Sequence, residues 1–266
     1  MNKICKTVLA GAVLLLAPLS QAAVIEWSYQ VTLEWEDATF NNGGANANAI
    51  VNDSLISWGA LGGDHTDNSR TAENSRSGLE ITDSPAVGTI FTNDGTPEAT
   101  NSITHYNNAI AAEFDTLISG SLLTTLNLTP IDPPGPAIPE FSTLFVVDFF
   151  ETPNSAPCDF PSATVCDDIF VLQFGALDSE FVYDGVTYFL NIVELSGNLT
   201  LLPAATCAAV GVDTGCVGLT TPEDAFTPVQ FGFTVTAVPE PAMLGIFGLG
   251  LLVLNAFGRR RSARKC

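Results

Sequence analysis

The chain has 266 residues, with 29 acidic side chains against nine Lys and Arg, for a formal charge of −20. That balance excludes a nucleic-acid binder held by phosphate contacts, which needs a basic face. Mean hydropathy is +0.29, high for so acidic a protein. The apolar residues must therefore be concentrated in segments, and the two ends hold them.

Residues 1–22 read as a secretory signal peptide. Lys3 and Lys6 supply its positive start, and Val8 to Leu16 its apolar stretch. Small residues at Ser20-Gln21-Ala22 place the signal peptidase cut between Ala22 and Ala23. Cys5 precedes the apolar stretch, so the segment is no lipoprotein signal.

The body, residues 23–237, reads as strand throughout. Ile25, Trp27, Tyr29, Val31, Leu33 and Trp35 alternate with polar residues, the period-two signature of a strand with one buried face. Shorter runs follow over residues 55–58, 79–82, 89–92, 102–107 and 122–128. Residues 141–150 and 169–174 are almost continuously apolar, which predicts strands covered on both faces. Residues 181–188 carry Asp184-Gly185 between apolar runs, a two-residue hairpin signal. Residues 199–202 and 230–236 complete the set. No long segment carries a helical period. Many short strands with turns between them predict an all-β, jelly-roll-like β-sandwich.

Three stretches read as loops: the Asn/Gly-rich residues 41–48, the charged residues 62–77 and the proline-rich residues 129–140. The last is expected to be a surface crossover rather than a linker between subdomains. The body keeps two arginines against 28 acids, a formal charge of −26. Such an excess favours solubility, repels anionic surfaces and suits divalent cations. Calcium takes six to eight oxygen ligands, and Asp64, Asp67, Asp167 and Asp168 are the candidate ligands, although neither pair lies in a recognised calcium loop. No other cofactor is expected.

Cys158, Cys166, Cys207 and Cys216 lie in an exported body, where oxidation favours disulfides. Three pairings are open. Cys158–Cys166 and Cys207–Cys216 close short loops and are favoured over a four-cysteine zinc site, whose ligand spacing is tighter.

The carboxyl end has another design. Val238-Pro239-Glu240-Pro241 precedes 17 mostly apolar residues, 242–258, and then Arg259, Arg260, Arg261, Arg264 and Lys265. At about 1.5 Å per residue such a helix reaches the short limit for crossing a membrane. The basic cluster is expected to stay in the cytoplasm while the body is exported.

Residues 238–266 resemble the PEP-CTERM sorting signal of Gram-negative bacteria. The resemblance implies recognition by an exosortase, removal of the tail, and a place at the cell surface or in an exopolysaccharide or biofilm matrix. A second resemblance runs through the body. Thr104-His105-Tyr106-Asn107-Asn108 is similar to the motif of the THxN family of PEP-CTERM proteins. SLISWG at 54–59, Glu151-Thr152-Pro153-Asn154, CDDIFV at 166–171 and Cys216 to Glu223 follow the same family in order. The family carries no assigned activity to this chain.

On a strand His105 and Asn107 share one face. They can converge on a ligand, or they can satisfy backbone groups at a strand end. Catalysis finds no support: no G-x-S-x-G elbow and no H-E-x-x-H is present. The expectation is therefore an exported, noncatalytic structural or adhesive protein, anchored for a time by its C-terminal helix. Exosortase, signal peptidase, the membrane and extracellular polysaccharide are its expected partners, and nucleic acid is not. A carbohydrate-active enzyme with a carboxylate pair and an unprocessed type I membrane protein are the competing readings.

Overall fold

The computed structural model describes residues 23–173 and 178–238. Alternation decides the first strand, β1 (Glu26–Phe40): Trp27, Tyr29, Val31, Leu33 and Trp35 are all buried. Ile25, just ahead of the strand, is exposed instead, and Val24 is buried in its place. The strands that follow are β2 (Ile50–Asn52), β3 (Leu55–Gly59), β4 (Arg76–Thr82), β5 (Ala86–Phe91), β6 (Glu98–Asn107) and β7 (Leu117–Asp132). Then come β8 (Phe141–Phe150), β9 (Asp168–Gln173), β10 (Asp178–Tyr183), β11 (Val186–Glu194) and β12 (Thr200–Leu201). A single helical turn pair, α1 (Ala204–Val210), precedes β13 (Val217–Thr221) and β14 (Ala225–Ala237).

They build two seven-stranded antiparallel sheets. Sheet one runs β12-β13-β9-β8-β7-β1-β5, and sheet two runs β10-β11-β14-β6-β4-β3-β2. Their inner faces meet in two apolar clusters. Trp35, Ile56, Leu79, Phe149 and Phe170 fill one. Trp27, Tyr29, Leu128, Tyr188 and Val235 fill the other, with Trp27 edge-on to Phe181, Tyr183 and Tyr188. The expected sandwich is therefore present. Its connections are not those of a jelly roll, which is built from two Greek keys. β7, β8 and β9 are sequential neighbours in one sheet, as are β2, β3 and β4 in the other.

Other expectations need correction. The proline-rich stretch is no crossover: Thr129–Asp132 end β7, and the rest joins β7 to its hydrogen-bonded neighbour β8. β8 is central but covered on one face only, since Leu144 and Val146 are exposed while Phe145 and Val147 are buried. Of these two strands it is β9 that is buried on both faces. Its outer face, Ile169 and Val171, lies under a third cluster with Leu202, Phe160 and Cys207 of α1. Ala47, inside the Asn/Gly-rich loop, is fully buried in the first cluster. The Asp184-Gly185 hairpin forms as expected, with Tyr183 opposite Val186 and both turn residues at positive φ.

Both favoured disulfides are formed, Cys158–Cys166 and Cys207–Cys216. Among the described residues no helix is long and apolar enough to cross a membrane. The signal peptide and the helix expected over 242–258 lie outside the described residues.

Candidate functional site

Register assembles the site. On the inner face of sheet one, Phe149 pairs with Phe170, and Phe170 with Leu219. Two residues along, alternation puts Glu151, Asp168 and Thr221 on the same face, one rung nearer the end of the sandwich. Asp168 and Thr221 are themselves a register pair. On sheet two, Trp58 pairs with Ser77 and Leu79 with His105, so Trp58, His105 and Asn107 face that rung.

In this layer hydrogen bonds run from sheet to sheet. Trp58 Nε1 donates to Glu151 Oε2 at 2.9 Å. His105 Nδ1 lies 2.9 Å from Thr221 Oγ1, and Asn107 Nδ2 donates to the Thr221 carbonyl at 2.8 Å. The Thr221 hydroxyl donates onward to Thr227 Oγ1 at 3.0 Å. His105 Nε2, also buried, has no hydrogen-bond partner. Phe149 floors the layer, with the His105 ring at 5.0 Å and the Trp58 ring at 5.1 Å, both edge-on. Asp168 Oδ1 accepts from the Thr152 amide at 2.8 Å and its hydroxyl at 3.0 Å. Glu223 lies two residues past β13.

Among the described residues no cation faces this layer. Of the body's two arginines, Arg70 pairs with Asp67 at 2.7 Å. Arg76 is buried with its guanidinium on Ser57, on Ala60 O and on Asn48 O. Burial therefore holds Glu151 well above the usual carboxylate range, with the Asp168 charge adding to the effect. Burial raises Asp168 in the same direction. Glu223 is pushed up to about 7 by burial and by Asp224 beside it. Burial drives His105 down to about 3, so the ring is neutral. Burial thus moves each of these groups toward its uncharged form.

It is also sealed. Trp58, Asn107, Asp168 and Thr221 have no exposed surface, and His105 has 1%. These groups act on one another, and they tie sheet to sheet.

His105 and Asn107 thus converge as their shared face predicted, and their common target is Thr221. The opposite side of the motif behaves differently. Tyr106 packs against His65 and Phe226, and Asn108 donates to His65 O and Arg76 O. The four calcium candidates do not come together. Asp64 accepts from Thr66, Asp67 from Ser69 and Arg70, and Asp167 from Ala163 and Thr164. Only Asp168 enters the layer. Among the described residues no three His, Cys, Asp or Glu side chains form a set that would hold a metal ion.

Sequence reasoning missed Trp58, Glu151, Thr221 and Glu223 as site residues. The signal lay in the five ordered strings of the second resemblance: each contributes a side chain to this one layer.

Residues 237–262 match the PEP-CTERM protein-sorting motif. No curated protein matches the chain. The motif marks an exported protein, processed by an exosortase at the cell envelope. The match begins on Ala237, the last residue of β14. Pro239, Glu240, Pro241 and the arginines at 259–261 fall within it but outside the described residues; the expected signal cleavage residue Ala22 also lies outside the described residues.

Proposed function

We propose that this protein is a noncatalytic structural or adhesive component of the cell surface or of an extracellular polysaccharide matrix, and a member of the THxN group of PEP-CTERM proteins. The observation that carries the reading is the sorting motif starting directly on the last strand of a disulfide-stapled sandwich. Support for the THxN assignment comes from strings 50 or more residues apart in places that meet in one sealed layer. A sealed layer serves cohesion, not turnover. In this reading the acidic body, rich in Asn and Thr on its surface, binds its partners noncovalently.

The test has two parts. The unreduced intact mass of the protein from its native host should correspond to a chain starting at Ala23, lacking residues 242–266, and lighter by four hydrogens for two disulfides. A mass that retains the tail means a plain type I membrane protein. The purified body should then co-sediment with host exopolysaccharide without releasing reducing ends. One specific observation favours a second reading: Glu151 and Asp168 form a carboxyl pair, the equipment of a glycosidase. New reducing ends that disappear in Glu151→Gln would establish that alternative.

A further inference from the structure

β14 lies between β11 and β6, but its pairing with β6 stops at Phe233 opposite Glu98. The following residues would have one free edge. Asn93, in the turn after β5, fills it. Its amide donates to Val235 O at 2.9 Å, and its side-chain Oδ1 accepts from the Ala237 amide at 3.0 Å. One asparagine thus imitates a strand partner across two rungs. It does so from a positive φ of 63°, a conformation Asn tolerates. On the other edge Ala237 pairs with Tyr188, and the Val238 amide donates to Thr187 O at 2.9 Å. The chain is held on both edges up to Ala237 and on one edge at Val238, and the sorting motif begins at residue 237.

An enzyme that breaks a peptide bond grips the chain in extended form through its main-chain groups, as in strand addition. Up to Ala237 those groups are already bonded within the sheet, and the Val238 amide is bonded too. We propose that release of the β14 end from Asn93 and β11 is the step that admits the sorting motif to the exosortase, so that Asn93 sets the rate of processing. This rests on the reading of the tail as an exosortase substrate.

The test uses the full chain, expressed in a host carrying its exosortase, with loss of the tail followed by pulse-chase and intact mass. Asn93→Gly keeps the positive φ and removes the Oδ1 acceptor. A six-residue Gly/Ser insertion between Val238 and Pro239 leaves every contact of the body in place and moves the motif away from the sheet. A single hydrogen bond of ordinary net strength corresponds to about fivefold in the population of released ends. Asn93→Gly is therefore expected to speed tail loss about fivefold, and the insertion at least as much. Equal rates in the wild type and the insertion variant would overturn the clamp, because the enzyme would then read the motif from the folded body. Retention of the tail in every chain, wild type included, would overturn the exosortase reading beneath it, and the clamp with it.

Discussion

His105 and Glu223 are displaced in opposite directions by the same burial, and the two shifts act in different pH windows. The folded imidazole titrates near 3 against an ordinary 6.5. The folded state binds fewer protons than the unfolded chain in that interval, so stability is lost as pH falls from about 6.5 towards 3. Glu223 titrates near 7 against an ordinary 4.5. Here the folded state binds more protons, so stability is full below 4.5 and is lost as pH rises through 7. Glu151 and Asp168 act in the direction of Glu223. The melting temperature should therefore peak in mild acid. His105→Gln should flatten the acid limb, and Glu223→Gln should flatten the fall between pH 4.5 and 7. Wild-type slopes in both variants would show that other groups set the profile. Trp58 permits a simpler trial. Trp58→Phe keeps a ring against Phe149 and deletes the donor to Glu151. It should cost about 1–3 kcal/mol, the penalty for a buried acceptor left unmade, measured by urea denaturation.

Elements were legible where local chemistry decides them and illegible where a distant cover does. β1 declared itself by alternation and the β10–β11 hairpin by Asp184-Gly185. β8 and β9 look alike in sequence, two unbroken apolar runs, yet only β9 is roofed. The roof is α1, seven residues with no helical period long enough to register, ended by Gly211 at φ 85°. The site was hidden for a related reason. Glu151, Asp168 and Glu223 are three of 28 acids in the body, and only the pairing of β8, β9 and β13 sets them together. His105 and Asn107 could be placed on one face, but nothing local names Thr221 as their target. The roof can be tested directly. Replacing Cys207 and Cys216 together by Ala removes a closure expected to contribute about 2–3 kcal/mol and frees α1 over Ile169 and Val171. The double variant should lose that stability and gain binding of an apolar dye. An unchanged urea midpoint would mean that packing alone holds the helix.

At the scale of the whole molecule, charge works against the fold. Twenty-eight acids and two arginines repel one another across the body. Among the described residues one ion pair joins an arginine to a carboxylate, Arg70–Asp67. Screening should therefore stabilise. Raising salt from about 0.01 M to about 1 M shortens the Debye length from about 30 Å to about 3 Å, and the melting temperature should rise. A fall would mean that specific pairs outweigh the general repulsion. A chelator in mild acid should leave the melting temperature where it was, because Asp64, Asp67 and Asp167 already accept from the protein's own donors.

Tyr188 has a consequence for connectivity. Its hydroxyl accepts from the Val24 amide at 2.7 Å, while its backbone pairs with Ala237. The two ends of the body therefore meet at one residue, and the order in which the strands are threaded is separable from the way they pack. A circular permutant that joins Val238 to Ala23 through a short linker, and opens between Asp67 and Asn68, should fold to the same sandwich with its new ends in the exposed β3–β4 loop. Far-ultraviolet circular dichroism matching the parent would establish it, and an unfolded permutant would show that β1 must be made first.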